Sequence, residues 1–204
     1  MNTPLRALAG FAMAYALLIA SSLPVVAADG EADGPRFESD GKLAKPENYR
    51  EWPLIGAGIG MAYGPLRDAA SASGHPPFTN VFVNPSSYRS FLKTGAWPDK
   101  TIFVLEIRES VAVNKADKGA NGYFQGELAG IEAEVKDEKR FPGKWGFFGL
   151  NPAQPSGAQI PVGASCYSCH AKNAAVENTF TQFYPVLRDV AKQKGTFKTV
   201  AEVF

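Results

Sequence analysis

The chain has 204 residues, 45% hydrophobic and 20% charged, which is enough to bury a core as one domain without disulfides. It contains 21 Lys and Arg against 20 Asp and Glu, and residues 1–28 contribute only Arg6, so the balance beyond them is 20 against 20. A balanced charge argues against nucleic acid or an anionic membrane as the main partner.

The first 28 residues have the pattern of an export signal. Arg6 supplies a positive charge, residues 7–20 form an uncharged apolar run, and Val26-Ala27-Ala28 offers small residues for signal-peptidase cleavage. The run is too short to span a bilayer comfortably, although an uncleaved N-terminal anchor is the alternative. We therefore expect a periplasmic protein that begins near Asp29.

The chain from residue 29 divides into a lead-in and one domain. Residues 29–45 are rich in Asp, Glu, Gly and Lys, which predicts a disordered lead-in. In the domain, residues 46–204, a short helix is predicted before Pro53, a Gly-rich strand over 54–63 and a strand over 79–83. A helix follows, capped by Asn84 and ended by Gly95.

The clearest strand covers residues 101–110. Ile102, Val104, Glu106 and Arg108 alternate with Phe103, Leu105, Ile107 and Glu109, as expected for a strand with two different faces. It forms a hairpin with residues 123–135, and residues 144–148 make a further strand. Helices are predicted over 173–180 and 183–191, with an interruption near Pro185. The fold class is α+β, an antiparallel sheet of about five strands with flanking helices and a C-terminal helical segment.

The C-terminal segment contains the strongest motif, Cys166-Tyr167-Ser168-Cys169-His170, which holds both cysteines of the chain and one of its two histidines. A C-x-x-C-H run is the attachment signal of c-type haem. Residues three apart share one face of a helical turn, so both thiols can reach the two vinyl groups of one porphyrin, and the histidine can bind the iron. The motif therefore predicts one covalent haem c with His170 as the proximal ligand.

Three other readings of the cysteine pair are open. A redox dithiol is expected near a βαβ pattern, which is not visible here. A zinc site needs four ligands, and only His75 remains as a strong fourth. A structural disulfide would leave His170 without a role.

Several stretches taken together resemble the cytochrome P-460 family of small exported c-type cytochromes, related to the beta-sheet cytochromes c′. The resemblance rests on the order of Trp52-Pro53, residues 78–84, Trp97-Pro98-Asp99, residues 145–148, the haem motif and residues 180–185. It implies a five-coordinate haem on a mostly β scaffold, with the distal face open. Members with a lysine cross-linked to the porphyrin oxidise hydroxylamine, and members without it bind nitric oxide or carbon monoxide.

The resemblance also suggests site residues. Lys100, in the turn just before the strand at residues 101–110, is the candidate cross-linking lysine. The alternative is that Lys100 is an ordinary turn lysine. The other position considered for that lysine lies within the strand and is occupied by Leu105. Phe82 and Phe103 are candidates to cap the distal pocket, although aromatic residues in strands are mostly core. Three strand glutamates are candidate proton carriers, although strand glutamates usually face solvent. These are Glu106, Glu127 and Glu132.

A six-coordinate electron-transfer cytochrome is the alternative function. It requires a sixth ligand, for which His75 in a Gly-His-Pro-Pro loop and Met61 are candidates. The expected partners are hydroxylamine or nitric oxide and a periplasmic electron-transfer partner such as a small cytochrome c, with a homodimer left open.

Overall fold

The computed structural model describes residues 33–61, 75–115 and 120–199. The predicted export signal, its cleavage site, residues 29–32 and the end of the predicted strand at 62–63 lie outside the described residues. Within the described ranges, no helix combines the length and apolar character needed to cross a bilayer.

A five-stranded antiparallel sheet forms the centre of the fold, with the strands in the order β2-β3-β4-β5-β6. In the part of the chain that the structure describes, three α-helices and a small two-stranded sheet of β1 and β7 accompany it, so the predicted α+β class is confirmed. The elements are β1 (Leu43–Ala44), β2 (Leu54–Ile59), β3 (Phe78–Val83), α1 (Pro85–Thr94), β4 (Ile102–Lys115), β5 (Ala120–Lys136), β6 (Trp145–Leu150), β7 (Ser156–Gly157), α2 (Ser165–Asn173) and α3 (Pro185–Lys194).

The two faces of the sheet pack against different parts of the chain. Strand alternation and the register of β4, β5 and β6 place Ile102, Val104, Glu106, Ile131, Ala133, Val135 and Phe148 on one side. We call this the N-terminal face, because Leu43, Tyr49 and Trp52 cover it. The opposite side carries Phe103, Leu105, Ile107, Glu132, Glu134, Phe147 and Gly149. We call it the helical face, because residues of α1, α3 and the segment after α2 pack there.

The helices begin and end at residues that the sequence marks. α1 starts with Pro85 at its first turn and ends at Gly95, which adopts the left-handed conformation at φ 74°. α3 has the same arrangement, with Pro185 at its start and Gly195 at its end. Pro185 therefore begins this helix and does not interrupt it, because its missing N–H is not needed in a first turn.

Two expectations differ from the structure. Residues 174–180, predicted as helix, form an irregular loop followed by a 3-10 turn at Thr181–Phe183. Residues 33–45, predicted as a disordered lead-in, have defined contacts. The side chain of Leu43 is fully buried, β1 pairs with β7, and Asp33 accepts a hydrogen bond from the Ser86 N–H in the first turn of α1 at 2.8 Å. An acidic residue in this position also complements the positive end of the helix dipole.

Candidate haem site

The C-x-x-C-H motif lies on α2, at the surface over the helical face. Both cysteines are free thiols; the Cys166 side chain is half-buried and the Cys169 side chain is exposed. No side chain of α2 is fully buried, so the helix keeps its surface open toward a further group. The spacing of three places the two thiols on one side of the helix, as the motif requires.

Tyr167, inside the motif, attaches α2 to β6. Its hydroxyl accepts hydrogen bonds from the Phe147 N–H (3.3 Å) and the Gln159 amide (3.1 Å) and donates to the Ile160 carbonyl (3.2 Å). Its ring meets the Phe147 ring edge-on, with the centroids 4.7 Å apart. The residue between the cysteines therefore fixes the height of the motif above the sheet.

His170 is oriented by contacts on one nitrogen and on both sides of its ring. Nδ1 lies 2.7 Å from the Asn178 carbonyl oxygen, to which it donates in the neutral ring. The rings of Phe147 and Phe180 meet the imidazole edge-on, each with a centroid distance of 4.6 Å. A proton held on Nδ1 leaves the lone pair of Nε2 for a metal, which is the tautomer that an iron-binding histidine needs.

The loop that carries Asn178 is held by buried hydrogen bonds. The Trp97 indole N–H donates to the Thr179 hydroxyl at 2.8 Å, and this hydroxyl donates to the Val176 carbonyl at 2.8 Å. Glu177 pairs with the buried Lys136 at 2.8 Å. Because these contacts come from the body of the domain, they fix the position of the carbonyl that orients His170.

Two glutamates of β5 lie beneath His170 on the helical face. One carboxylate oxygen of Glu134 lies 3.4 Å from His170 Nδ1 and has no hydrogen-bond partner among the described residues. Burial raises the pKa of Glu134 more than the nearby His170 lowers it. Burial also raises the pKa of Glu132, with His170 again acting in the opposite direction. Burial lowers the pKa of His170, but Glu134 and the Asn178 carbonyl outweigh it, so that pKa is raised.

A groove of about 320 Å³ runs beside these residues across β4, β5 and β6. Glu132 lines it together with Ile107, Gly130 and Gly149. A β-carbon added at Gly149 would meet nothing within 4 Å, so the groove is open above this strand. The helical face therefore combines an oriented imidazole, two accessible thiols and an open groove bordered by a half-buried carboxyl group.

The family model of cytochrome P460 matches residues 46–181, which covers most of the folded chain. The chain belongs to the cytochrome P460 family. The resemblance inferred from the sequence is thereby confirmed, and with it the assignment as an iron-containing cytochrome that binds haem. A comparison with curated protein sequences gives no match.

The residues present fit the haem that membership of the cytochrome P460 family implies. The donor set is two cysteine side chains three residues apart and one imidazole whose Nδ1 lies against the Asn178 carbonyl oxygen. Cys166, Cys169 and His170 would hold the group, and Glu132, which lies near His170, borders an open groove.

Glu106 lies on the N-terminal face, on the other side of the sheet from His170. Its carboxylate is 2% exposed and accepts hydrogen bonds from Tyr49 Oη (2.6 Å), Arg50 Nε (2.6 Å) and Arg108 Nε (2.8 Å). Burial acts to raise the pKa of Glu106, but these hydrogen bonds outweigh it and lower the pKa to about 2. The structure thus gives Glu106 a place in an ionic cluster and does not bring it together with the motif.

The other predicted site residues are distributed over both faces. Phe103 lies on the helical face beside Trp97, with the ring centroids 4.7 Å apart. Phe82 lies on the N-terminal face against Tyr49 at 5.7 Å. Glu127 is exposed on β5, whereas Glu132 lies opposite Leu105 on the helical face and close enough to His170 for the imidazole to lower its pKa.

Lys100 occupies the turn before β4, with a left-handed backbone at φ 67°. Its amine pairs with Asp137 at 2.6 Å, and its side chain is 40% exposed. Leu105, the in-strand position, lies on the helical face opposite Glu132 in the register of β4 and β5.

His75 lies at the far end of the sheet from the motif. Its ring centroid is 5.1 Å from that of Tyr123, while His170 contacts Glu134. Tyr123 and Glu134 lie near opposite ends of the 17-residue strand β5, roughly 35 Å apart at about 3.3 Å per residue. The placement therefore speaks against His75 as a second ligand of the same iron, and against His75 as the fourth ligand of a zinc site at the cysteines.

Sequence reasoning missed three residues that shape the site. Glu134 follows Glu132 at the strand spacing of two, and this signal predicts a shared face. Tyr167 lies within the motif but reads as a spacer. Asn178 acts through its backbone carbonyl, for which the sequence carries no side-chain signal.

Proposed function

We propose that this protein is a periplasmic cytochrome with one covalent haem c, bound through Cys166 and Cys169, with His170 as the protein ligand of the iron. The iron so held would offer a coordination position to a small nitrogen compound, either hydroxylamine to be oxidised or nitric oxide to be held. The observation that carries this proposal is the separation of the two histidines, one oriented on the helical face and the other at the far end of β5. An iron with one protein imidazole keeps a position for a ligand.

The site residues of this chain would have separate roles. In attachment, each thiol S–H adds across one vinyl double bond and becomes a thioether, which ties the porphyrin to α2. His170 is presented through Nε2, because Asn178 and the two phenylalanine rings fix its plane. The bound haem supplies an iron that takes up electrons and binds the small ligand.

Glu132 is the candidate for proton transfer. Oxidation of hydroxylamine releases protons together with electrons, and a general base must receive them. Glu132 is half-buried on the helical face, borders the groove, and has a pKa raised toward the range useful to a base. The electrons would pass to a periplasmic partner such as a small cytochrome c.

The test is the optical spectrum of the purified protein, together with its intact mass. We expect the mass of the cleaved chain plus one haem, broad high-spin ferrous bands and a shift of those bands on addition of nitric oxide. Sharp low-spin bands that become high-spin in His75→Ala would contradict the open site. A mass equal to the bare polypeptide, from cells with a working haem c assembly system, would contradict covalent attachment.

Lys100 decides between the two branches of the proposal. If it is cross-linked to the porphyrin, the wild type has a strongly red-shifted Soret band that Lys100→Ala abolishes, along with hydroxylamine oxidation. Lys144→Ala is the matched control, because Lys144 is also an exposed lysine in a left-handed turn, at φ 64°. A wild type without the red-shifted band favours nitric oxide binding, with Lys100 serving the turn through Asp137.

A further inference from the structure

We infer that Glu134 is a positioning residue of the iron centre, which acts through His170 Nδ1 as a second hydrogen-bond acceptor beside the Asn178 carbonyl and makes His170 a stronger donor to the iron. The inference rests on the proposed ligation of iron by His170. It concerns the side of the imidazole that faces away from the metal.

The geometry gives Glu134 little other use. Its side chain is 12% exposed, and one of its oxygens is buried without a hydrogen-bond partner in the described parts of the chain. A buried oxygen that accepts no hydrogen bond costs free energy, because it has lost its contact with water without gaining a partner. This oxygen lies 3.4 Å from Nδ1, the nitrogen already bound to Asn178 at 2.7 Å. A cost of this kind in a native site calls for a functional explanation.

The imidazole ring of His170 is also held in place by its neighbours, which maintains its contact with Glu134. Phe147 and Phe180 flank the imidazole, and Phe147 is the direct cross-strand partner of Glu134. The same pair of adjacent strands therefore sets both the plane of the ring and the position of the carboxyl group. A rigid strand holds such a contact more precisely than a loop does.

The consequence for the iron follows from the basicity of its ligand. Acceptors on the second nitrogen of an iron-bound histidine draw the Nδ1 proton away from the ring and increase electron donation through Nε2. Stronger donation strengthens the iron–histidine bond and favours the ferric state, which lowers the reduction potential. Glu134 would thus adjust how readily the site accepts electrons from its substrate.

The test compares Glu134→Gln with Glu132→Gln in the haem-loaded protein. Both glutamates lie on the helical face two positions apart, but among the described residues it is Glu134 whose carboxylate approaches Nδ1, at 3.4 Å. We expect Glu134→Gln to lower the ferrous iron–histidine stretching frequency in resonance Raman spectra and to raise the midpoint potential, with an unchanged melting temperature. Glu132→Gln changes the charge of the same face, so it can move the potential but should leave the stretching frequency as in the wild type.

The outcomes separate this inference from the proposed ligation. A stretching frequency that persists in His170→Ala contradicts iron ligation by His170. A frequency lost in His170→Ala but unchanged in folded Glu134→Gln overturns the role of Glu134 alone. If Glu134→Gln does not accumulate, Glu134→Asp keeps the carboxyl group but draws it away from Nδ1. A wild-type frequency in Glu134→Asp likewise overturns the inference.

Discussion

Replacing Glu106 by Gln tests whether this buried carboxylate stabilises the fold or serves the chemistry. The variant keeps the shape of the side chain but removes the charge that accepts hydrogen bonds from Tyr49, Arg50 and Arg108. The pKa of Glu106 falls from 4.5 to about 2, and at about 1.4 kcal/mol per pKa unit this corresponds to about 3 kcal/mol of favourable interaction. Because Arg50 is 54% exposed and regains water, we reduce the expected loss to about 2 kcal/mol.

The assay is urea unfolding followed by tryptophan fluorescence at pH 7, with Glu127→Gln as the exposed control, expected within about 0.5 kcal/mol of the wild type. A depressed pKa in the folded state gives stability that is present above the unfolded value. The advantage of the wild type over Glu106→Gln should therefore shrink as the pH falls from about 4.5 to about 2. A variant of normal stability that has lost hydroxylamine oxidation or nitric oxide binding would refute the structural role and restore the catalytic one.

Two further substitutions test the packing around the site. Tyr167→Phe removes a hydroxyl with three hydrogen-bond partners. We therefore expect the free energy of unfolding in urea to fall by about 1–2 kcal/mol and amide hydrogen exchange in α2 to become faster. Unchanged exchange would contradict the attachment of α2 through this hydroxyl. Gly157→Ala would place a β-carbon in steric overlap with the Gly149 carbonyl oxygen, so we expect a lower melting temperature and a loss of about 1–3 kcal/mol in the free energy of unfolding. Gly143→Ala is the control, because a β-carbon there meets nothing within 4 Å and the variant should differ little from the wild type.

The sheet was predictable because its information is local. The alternation along residues 101–110 assigned Ile102 and Val104 to one face and Phe103 and Leu105 to the other, and the register of β4 and β5 confirms it. Haem binding was equally predictable, since the spacing of the C-x-x-C-H motif is local to one helical turn, and the family match confirms a haem-binding cytochrome. The position of Glu106 contains similar information, because an acidic residue on the same strand face as Ile102 and Val104 is expected to be buried and to need hydrogen-bond partners.

The predictions that failed concern segments whose structure depends on tertiary contacts. Residues 174–180 form a loop because the Gln182 amide bonds to the Asn173 carbonyl and the Trp97 indole holds Thr179, contacts that local propensity does not include. The lead-in is ordered by two large apolar side chains in a mostly polar stretch, Leu43, which is fully buried, and Phe37, which packs against Phe141 and Phe148. Composition averages over such residues, although their contacts decide whether the segment folds.

The assignment of the two faces of one sheet to different tasks has a consequence for how this protein can change. Glu106 and its partners lie on one side of the strands, while Glu132, Glu134 and His170 lie on the other, and within the described residues the two sets share no hydrogen bond or ion pair. Substitutions without shared partners usually combine additively. Selection or design could therefore alter the reactivity of the iron centre by changes on the helical face, and compensate lost stability independently by changes on the N-terminal face.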